Sequence, residues 1–139
     1  LLINYTWDQV THTYDSANYC DNQVFKLNPN GTQDLSFGTN GILTINTDNT
    51  DKPFSIALTS TGKLLIAGYS QYDNSYYSTL PFGGYGQINK GFVAFANTNG
   101  TLDTSIPNGF VAFDFLEDSA TFFNKIIERN PNEFLICVP

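Results

Sequence analysis

Charged side chains are scarce in this sequence, since Asp, Glu, Lys and Arg make up only 14% of the 139 residues, against a usual share of roughly a quarter. Bases are rarest, with six Lys and Arg against thirteen Asp and Glu and a net charge of −7. Affinity for nucleic acid depends on bases that neutralise phosphates, and these six are scattered. The composition therefore argues against nucleic acid and against an anionic membrane surface as partners.

Long apolar runs and helical periodicity are also missing. No stretch approaches the roughly 20 apolar residues needed to cross a bilayer, and no window keeps the i, i+3, i+4, i+7 spacing of an amphipathic helix. Methionine is absent, so we expect the sequence to be an excerpt of a longer protein. Asn, Thr, Ser and Tyr take the place of charge, which favours strands and turns.

Residues for catalysis are few. His12 is the single histidine, so no catalytic triad or zinc set can be assembled. The neighbours Glu117 and Asp118 are two carboxylates on a polar turn, which is typical of a solvated loop rather than of sugar chemistry. Cys20 and Cys137 permit one disulfide, but Cys137 also fits a buried position in a strand. The uncharged polar composition favours an exported protein.

A repeated signature divides the chain. Leu1-Leu-Ile-Asn-Tyr5 returns as Leu64-Leu-Ile-Ala-Gly-Tyr69 and as Phe134-Leu-Ile-Cys-Val138. Self-similarity at such a period is typical of repeat architectures. The signature predicts repeat one at 1–63, repeat two at 64–133 and the start of a third at 134–139.

Four short strands are predicted in each repeat, in matching order. Four antiparallel strands per repeat are typical of a β-propeller blade, and neighbouring blades must stack because one sheet cannot bury both faces alone. We therefore expect an all-β, β-propeller-like fold with two repeats, belonging to a larger ring. The later strands of the two repeats are predicted at 24–27, 42–45 and 53–59, and at 92–95, 110–113 and 122–128.

An Asn-Gly turn block occurs in both repeats, at 28–41 and again at 97–109. Gly allows the positive φ of tight turns, and an Asp three residues later can accept backbone N–H groups. The predicted structural residues are Asn30, Gly31, Asp34, Asn99, Gly100 and Asp103. Calcium is the alternative role, through Asn28, Asn30, Thr32 and Asp34 or, less regularly, Asn46, Asp48, Thr50 and Asp51, although neither set matches the EF-hand pattern.

These residues resemble the delta-60 repeat family, a bacterial repeat. The likeness rests on Leu27-Asn-Pro-Asn-Gly-Thr-Gln-Asp-Leu-Ser-Phe-Gly38 and Thr61-Gly-Lys-Leu-Leu-Ile-Ala-Gly68. Repeat two keeps Asn99-Gly-Thr-Leu-Asp-Thr-Ser105 but carries Ile106-Pro107 in place of Phe-Gly. The resemblance implies propeller-like arrays in large exported or surface proteins, with no common catalytic residues. We expect no cofactor, with calcium as the alternative given above.

The connection from Ser70 to Lys90 is rich in aromatic and small polar residues. Tyr gives a large contact area at low rotamer cost, and Ser, Asn and Gly adapt around it. The predicted contact residues for a protein or glycan partner are Tyr72, Tyr76, Tyr77, Phe82 and Tyr85. The alternative is an extra hairpin that packs its rings onto its own blade.

Three functions fit the sequence. We expect a non-enzymatic scaffold or adhesive module of an exported or cell-surface, bacterial protein, whose partners also include further blades of the same protein. The first alternative is an extracellular carbohydrate-active or lyase-type propeller whose catalytic residues lie outside this sequence. The second is a subunit of a large cell-envelope assembly.

Overall fold

The computed structural model describes residues 21–47, 50–74, 86–113 and 122–138. Within them the protein is a set of antiparallel strands, with one short 3-10 turn at Pro107–Gly109. No helix of this described part is long and apolar enough to cross a membrane. The strands are β1 (Asn22–Phe25), β2 (Ile42–Ile45), β3 (Thr50–Leu58), β4 (Lys63–Asn74), β5 (Gly86–Asn97), β6 (Phe110–Phe113), β7 (Lys125–Asn130) and β8 (Glu133–Cys137).

The strands form three sheets, which we call blades. Blade A is the β1–β2 pair, blade B is a four-stranded sheet in the order β3-β4-β5-β6, and blade C is the β7–β8 pair. Each neighbouring pair is antiparallel. The β3–β4 ladder shifts between Pro53 and Ser55. Beside this bulge, a Cβ on Gly68 would lie 2.1 Å from the Lys52 carbonyl oxygen, so only glycine fits there.

Blade B is buried on both faces, as the stacking argument requires. One face packs against blade A, and the other packs against blade C. The core between blades A and B comprises Val24, Phe37, Leu43, Ile45, Ile66, Phe92, Ala94 and Ala96. The core between blades B and C comprises Leu65, Ala67, Val93, Phe123 and Ile126, with Phe95, Phe113, Phe134 and Ile136 partly buried around it.

Matching strands of the repeats occupy equivalent places. The β7–β8 register Ile126↔Ile136 repeats the β3–β4 register Ile56↔Ile66, and β1–β2 matches β5–β6 in the same way. Blade A thus contains the last two strands of a blade, and blade C contains the first two. The expected all-β, propeller-like fold is confirmed. The repeat limits at 63 and 133 stay a prediction, because blade B combines strands from both repeats.

The two kinds of Asn-Gly step differ. Asn40 and Asn108 have φ of 53° and 57°, and the glycines after them have φ of 84° and 73°. Asn40-Gly41 forms a primed hairpin turn between Thr39 and Ile42, whereas Asn108 lies in a turn closed by Gly109 N–H and the Ile106 carbonyl, at 2.8 Å. In the Asn30-Gly31 step only the glycine has positive φ. Pro29 stands at the second position of the turn closed by Gly31 N–H and the Asn28 oxygen, at 2.9 Å, and proline favours an ordinary turn there.

Two local expectations were wrong. Ser70–Asn74 and Gly86–Lys90 are not a connection but continue the β4–β5 ladder, since ladder bonds need backbone groups and no apolar side chains. Cys137 lies in a strand as expected, but it is exposed and its thiol is free. Cys20, its candidate disulfide partner, lies outside the described residues.

Candidate functional site

Among the described residues, the β4–β5 hairpin extends beyond the strands paired with it in blade B. Its ladder runs from Lys63↔Asn97 to Asn74↔Gly86, whereas the described part of β3 pairs with β4 as far as Thr50↔Gln71. The last three residue pairs of the hairpin, 72–74 with 86–88, therefore project as two paired strands past β3. At about 3.3 Å per residue, they project about 10 Å. We call residues 70–90 the ribbon.

The predicted contact residues all belong to this ribbon. Tyr72 lies in β4, in the projecting part. Tyr76, Tyr77, Phe82 and Tyr85 lie outside the described residues, so their contact role stays a prediction. The structure adds that the segment carrying them is joined to two paired strands rather than to a loose connection.

An aromatic cluster supports the base of the ribbon. Tyr69 is buried, with its ring centroid 5.6 Å from that of Phe54 and 4.8 Å, edge to face, from that of Phe122. Lys52 Nζ lies 5.7 Å from the Tyr69 ring centroid, within cation–π range. Tyr69 thus contacts both blade B, through Phe54, and the segment before β7, through Phe122, directly before the first residue of the ribbon. Sequence reasoning placed Tyr69 in a strand but did not assign it this role.

A buried polar cluster lies beside the same base, at the junction of blades A and B. Asp51 is 1% exposed, Ser70 is fully buried, and the two are direct partners in the β3–β4 register. Thr47 donates to Asp51 through both its backbone N–H, at 3.3 Å, and its hydroxyl. The Thr47 and Ser70 hydroxyl oxygens are 2.6 Å apart.

Burial dominates the acidity of Asp51. Desolvation raises the pKa of Asp51 to about 6, although the hydrogen bonds from Thr47 and Ser70 lower it, and the negative charge of Asp21 adds to the rise. The cluster thus holds a buried carboxyl group whose pKa is raised by desolvation and lowered by its hydroxyl neighbours.

The turn blocks, at the opposite end of β5 from the ribbon, repeat one hydrogen-bond pattern. Asn30 Oδ1 accepts from Thr32 N–H at 3.1 Å, and Asp34 Oδ1 accepts from Ser36 N–H at 3.0 Å. The matching bonds, from Thr101 to Asn99 and from Ser105 to Asp103, have the same lengths. The oxygens of the first calcium set thus take part in closing the turn, and the capping role is the one that the geometry supports.

Each turn-block carboxylate also pairs with a lysine, which sequence reasoning missed. Lys26 Nζ lies 2.8 Å from Asp34, and Lys63 Nζ lies 3.0 Å from Asp103. Lys26, then Ser36, lowers the pKa of Asp34 to about 2. Ser105, then Lys63, lowers the pKa of Asp103 to about 2. Phe95 stands in repeat two where Lys26 stands in repeat one, so the second block uses a base from the neighbouring strand β4.

The two turn blocks contact each other across the junction of blades A and B. Gly38 N–H donates to the Asn99 carbonyl at 2.8 Å. A Cβ on Gly100 would lie 2.4 Å from Gly38 N, whereas its counterpart Gly31 has no atom within 4 Å of that position. Gly100 therefore has two roles, because it allows the positive φ of its own turn and lets the first turn block approach closely.

Among the residues that the structure describes, no three His, Cys, Asp or Glu side chains are grouped as a metal site would require. His12, Glu117 and Asp118 lie outside the described ranges. The geometry of the described part thus offers two features, a projecting ribbon and the buried polar cluster beneath it.

Residues 12–37 match the model of a family described as a domain of unknown function (DUF5122) beta-propeller. The match covers β1 and the first part of the first turn block. No curated protein and no solved structure matches the chain. The match and the stacked antiparallel blades together support a propeller-type repeat family.

Proposed function

We propose that the chain is a non-enzymatic β-propeller module of the delta-60 repeat type, and that it belongs to an exported or cell-surface bacterial protein. The ribbon is its contact surface, and a protein or a glycan is the partner. The observation that carries this proposal is the projection of the β4–β5 ladder past β3. A blade needs no such extension to pack its core, since both of its apolar clusters lie within the shared part of the sheet.

The chemistry of the ribbon supports a neutral, polar partner. Across residues 70–90 the sequence carries four tyrosines among Ser, Asn and Gly, together with one Asp and one Lys. Such rings stack on sugar rings or on peptide groups and offer a hydroxyl at their edge. The net charge of −7 disfavours polyanions, including nucleic acid. The uncharged polar composition supports export.

A tyrosine-to-serine variant of the ribbon tests this role. The chain is screened on a glycan array and against surface proteins, and its strongest ligand is titrated against a triple variant, Tyr72→Ser, Tyr76→Ser and Tyr77→Ser. Losing three stacked rings should weaken binding at least about tenfold. The control is Leu35→Ser with Leu58→Ser, since these leucines are 68% and 65% exposed and lie at the turn-block end.

Two results would contradict the proposal. Unchanged affinity in the triple variant would remove the ribbon from the contact surface. A large fall in its melting temperature, matching the loss of binding, would show that the rings pack onto their own blade. Turnover of a glycan by the chain itself would instead favour the enzyme hypothesis.

The outer face of blade C supports a second partner, a further repeat of the same protein. Ile127 and Leu135 are direct cross-strand partners there, 46% and 48% exposed. Their counterparts in blade B are Ala57 and Leu65, which pack against blade C. We propose that a following repeat covers Ile127 and Leu135 in the same way.

Appending a copy of residues 70–139 after Pro139 tests this partner, because residues 134–139 then continue into a new repeat that includes equivalents of both β7 and β8. Leu135→Glu should cost about 2 kcal/mol or more in the extended chain, since a buried leucine is lost. In the original chain it should cost under about 0.5 kcal/mol. Equal costs in the two chains would contradict coverage of this face.

A further inference from the structure

The buried cluster at the junction of blades A and B contains an unsatisfied amide. Asn22, in β1, is 1% exposed, and neither its Oδ1 nor its Nδ2 has a hydrogen-bond partner among the described residues. A buried amide without partners costs free energy, because its hydrogen bonds to water are lost. A bound ion or water is one way in which a folded protein satisfies such an amide.

Strand register places Asn22 next to the cluster. Asn22 and Ile45 are direct partners in the β1–β2 ladder, and Thr47 follows Ile45 by two residues, on the same side of the chain. Diagonal neighbours of this kind lie within reach of each other's side chains. All three are buried. Thr47 in turn contacts Asp51 and Ser70, so the Asn22 amide faces the buried side on which these oxygens meet.

We propose that this cluster is a calcium site, in which Asp51, Thr47, Ser70 and Asn22 supply oxygen ligands between blades A and B. Calcium takes six to eight oxygens in flexible geometry, from carboxylates, amides, hydroxyls and water. The cluster supplies one carboxylate, two hydroxyls and one amide oxygen, with the negative charge of Asp21 close enough to act on Asp51. A divalent cation would offset the desolvation of the Asp51 carboxylate and give Asn22 Oδ1 a partner.

The set differs from the one that the sequence suggested. The sequence suggested a single loop with Asn46, Asp48, Thr50 and Asp51 as ligands. Of that set the structure places Asp51 in this cluster, and Asp48 lies outside the described residues. Thr47, Ser70 and Asn22 come from the end of blade A, from β4 and from β1. An ion bound by residues of both blades would link blade A to blade B. Calcium should therefore raise the stability of the junction between them.

Calorimetric titration of the chelator-treated chain with calcium chloride tests the proposal, with magnesium chloride as comparison. We expect one calcium per chain, a higher melting temperature with calcium, and magnesium affinity at least about tenfold weaker, because magnesium demands near-octahedral geometry. Asp51→Asn and Asn22→Ala should each weaken calcium binding at least about tenfold. Asp103→Asn, which changes a turn-block carboxylate, should bind within about twofold of the parent chain.

Two outcomes would overturn the site. One is the absence of both heat and any melting shift in millimolar calcium. The other is parent-like calcium affinity in Asp51→Asn or in Asn22→Ala. If Asp51→Asn does not fold, Ser70→Ala decides together with Asn22→Ala, because removing one buried hydroxyl is a small change. Parent-like affinity in both of these variants would equally exclude the cluster as the site.

Discussion

Gly91 is the position at which the packing of blade C on blade B can be tested most directly. A Cβ placed on Gly91 would lie 2.5 Å from Phe123 Cε1 and 2.7 Å from both Cδ1 and Cζ. Phe123 is fully buried, and its ring centroid is 5.4 Å from that of Phe113. The ring therefore has little room to move away, and Gly91→Ala should force it out of its site.

The expected cost follows from two opposing effects. Overpacking a well-packed core costs about 1–3 kcal/mol, while replacing a strand glycine by alanine returns about 0.5–1 kcal/mol of backbone entropy. Gly91→Ala should therefore destabilise the protein by about 1–2 kcal/mol. For a chain of this length each kcal/mol lowers the melting temperature by about 4 °C, so calorimetry should show a fall of about 4–8 °C.

A double-mutant cycle with Phe123→Leu separates this clash from other effects. Phe123→Leu alone removes part of a buried ring and should cost about 1–2 kcal/mol. In the double variant the smaller side chain leaves space for the new methyl group, so the two costs should fall short of additivity by about 1 kcal/mol. Gly62→Ala is the control for additivity, since Gly62 has no atom within 4 Å of its Cβ position. Its positive φ of 77° makes this variant costly by itself, but that cost should simply add to the cost of Phe123→Leu. Strictly additive costs for Gly91→Ala and Phe123→Leu would refute the contact.

Three other predictions concern the turns and the blade junctions. Gly31→Ala and Gly100→Ala both place alanine at a φ of 84°, which should lower the free energy of unfolding by about 1–2 kcal/mol each. Gly100→Ala should cost at least about 1 kcal/mol more in denaturant unfolding, because only its methyl group meets the neighbouring turn block. Equal costs would contradict that contact. The pKa values of Asp34 and Asp103 are lowered to about 2, so the two carboxylates stabilise the folded state above about pH 4, and this contribution is lost as the pH falls towards 2. The free energy of unfolding, measured from pH 7 to 2, should fall less steeply in a variant with both residues replaced by Asn. An unchanged slope would show that the two carboxylates do not contribute. Glu128→Gln should lower stability by about 1 kcal/mol in thermal unfolding, because the Glu128 carboxylate accepts from the N–H and the hydroxyl of Ser60, in the β3–β4 turn of blade B, at 2.6 and 3.1 Å. A cost near zero would show that this link does not stabilise the junction of blades B and C.

Features set by local spacing could be predicted from the sequence. The turn blocks were recognisable because Asn, Gly, Asp and Ser recur at the same offsets. Their hydrogen bonds join residues two apart in the sequence, such as Ser36 N–H to Asp34 and Ser105 N–H to Asp103. The β2 and β6 limits were predicted to the residue, since apolar runs between turn signals determine them. The propeller-like stacking followed from the repeat itself, because equivalent sheets cover one another.

Features set by register between distant residues could not be predicted. Lys63 reaches Asp103 from a neighbouring strand, and Asp51 meets Ser70 only because β3 shifts register at its bulge. The polar residues of the ribbon gave no strand signal, because their pairing depends on backbone groups alone. Cys137 looked buried because its neighbours are apolar, but it lies on the outer face of blade C.

The hydrogen bond from Gly38 N–H to the Asn99 carbonyl joins blades A and B, and its effect reaches beyond that junction. In repeat two, Ile106-Pro107 replaces Phe37-Gly38, and proline has no N–H to donate. The second turn block therefore cannot donate the equivalent hydrogen bond to a following blade. Consecutive blade junctions are held by different contacts, since blades B and C are joined instead through Ser60 and the Glu128 carboxylate.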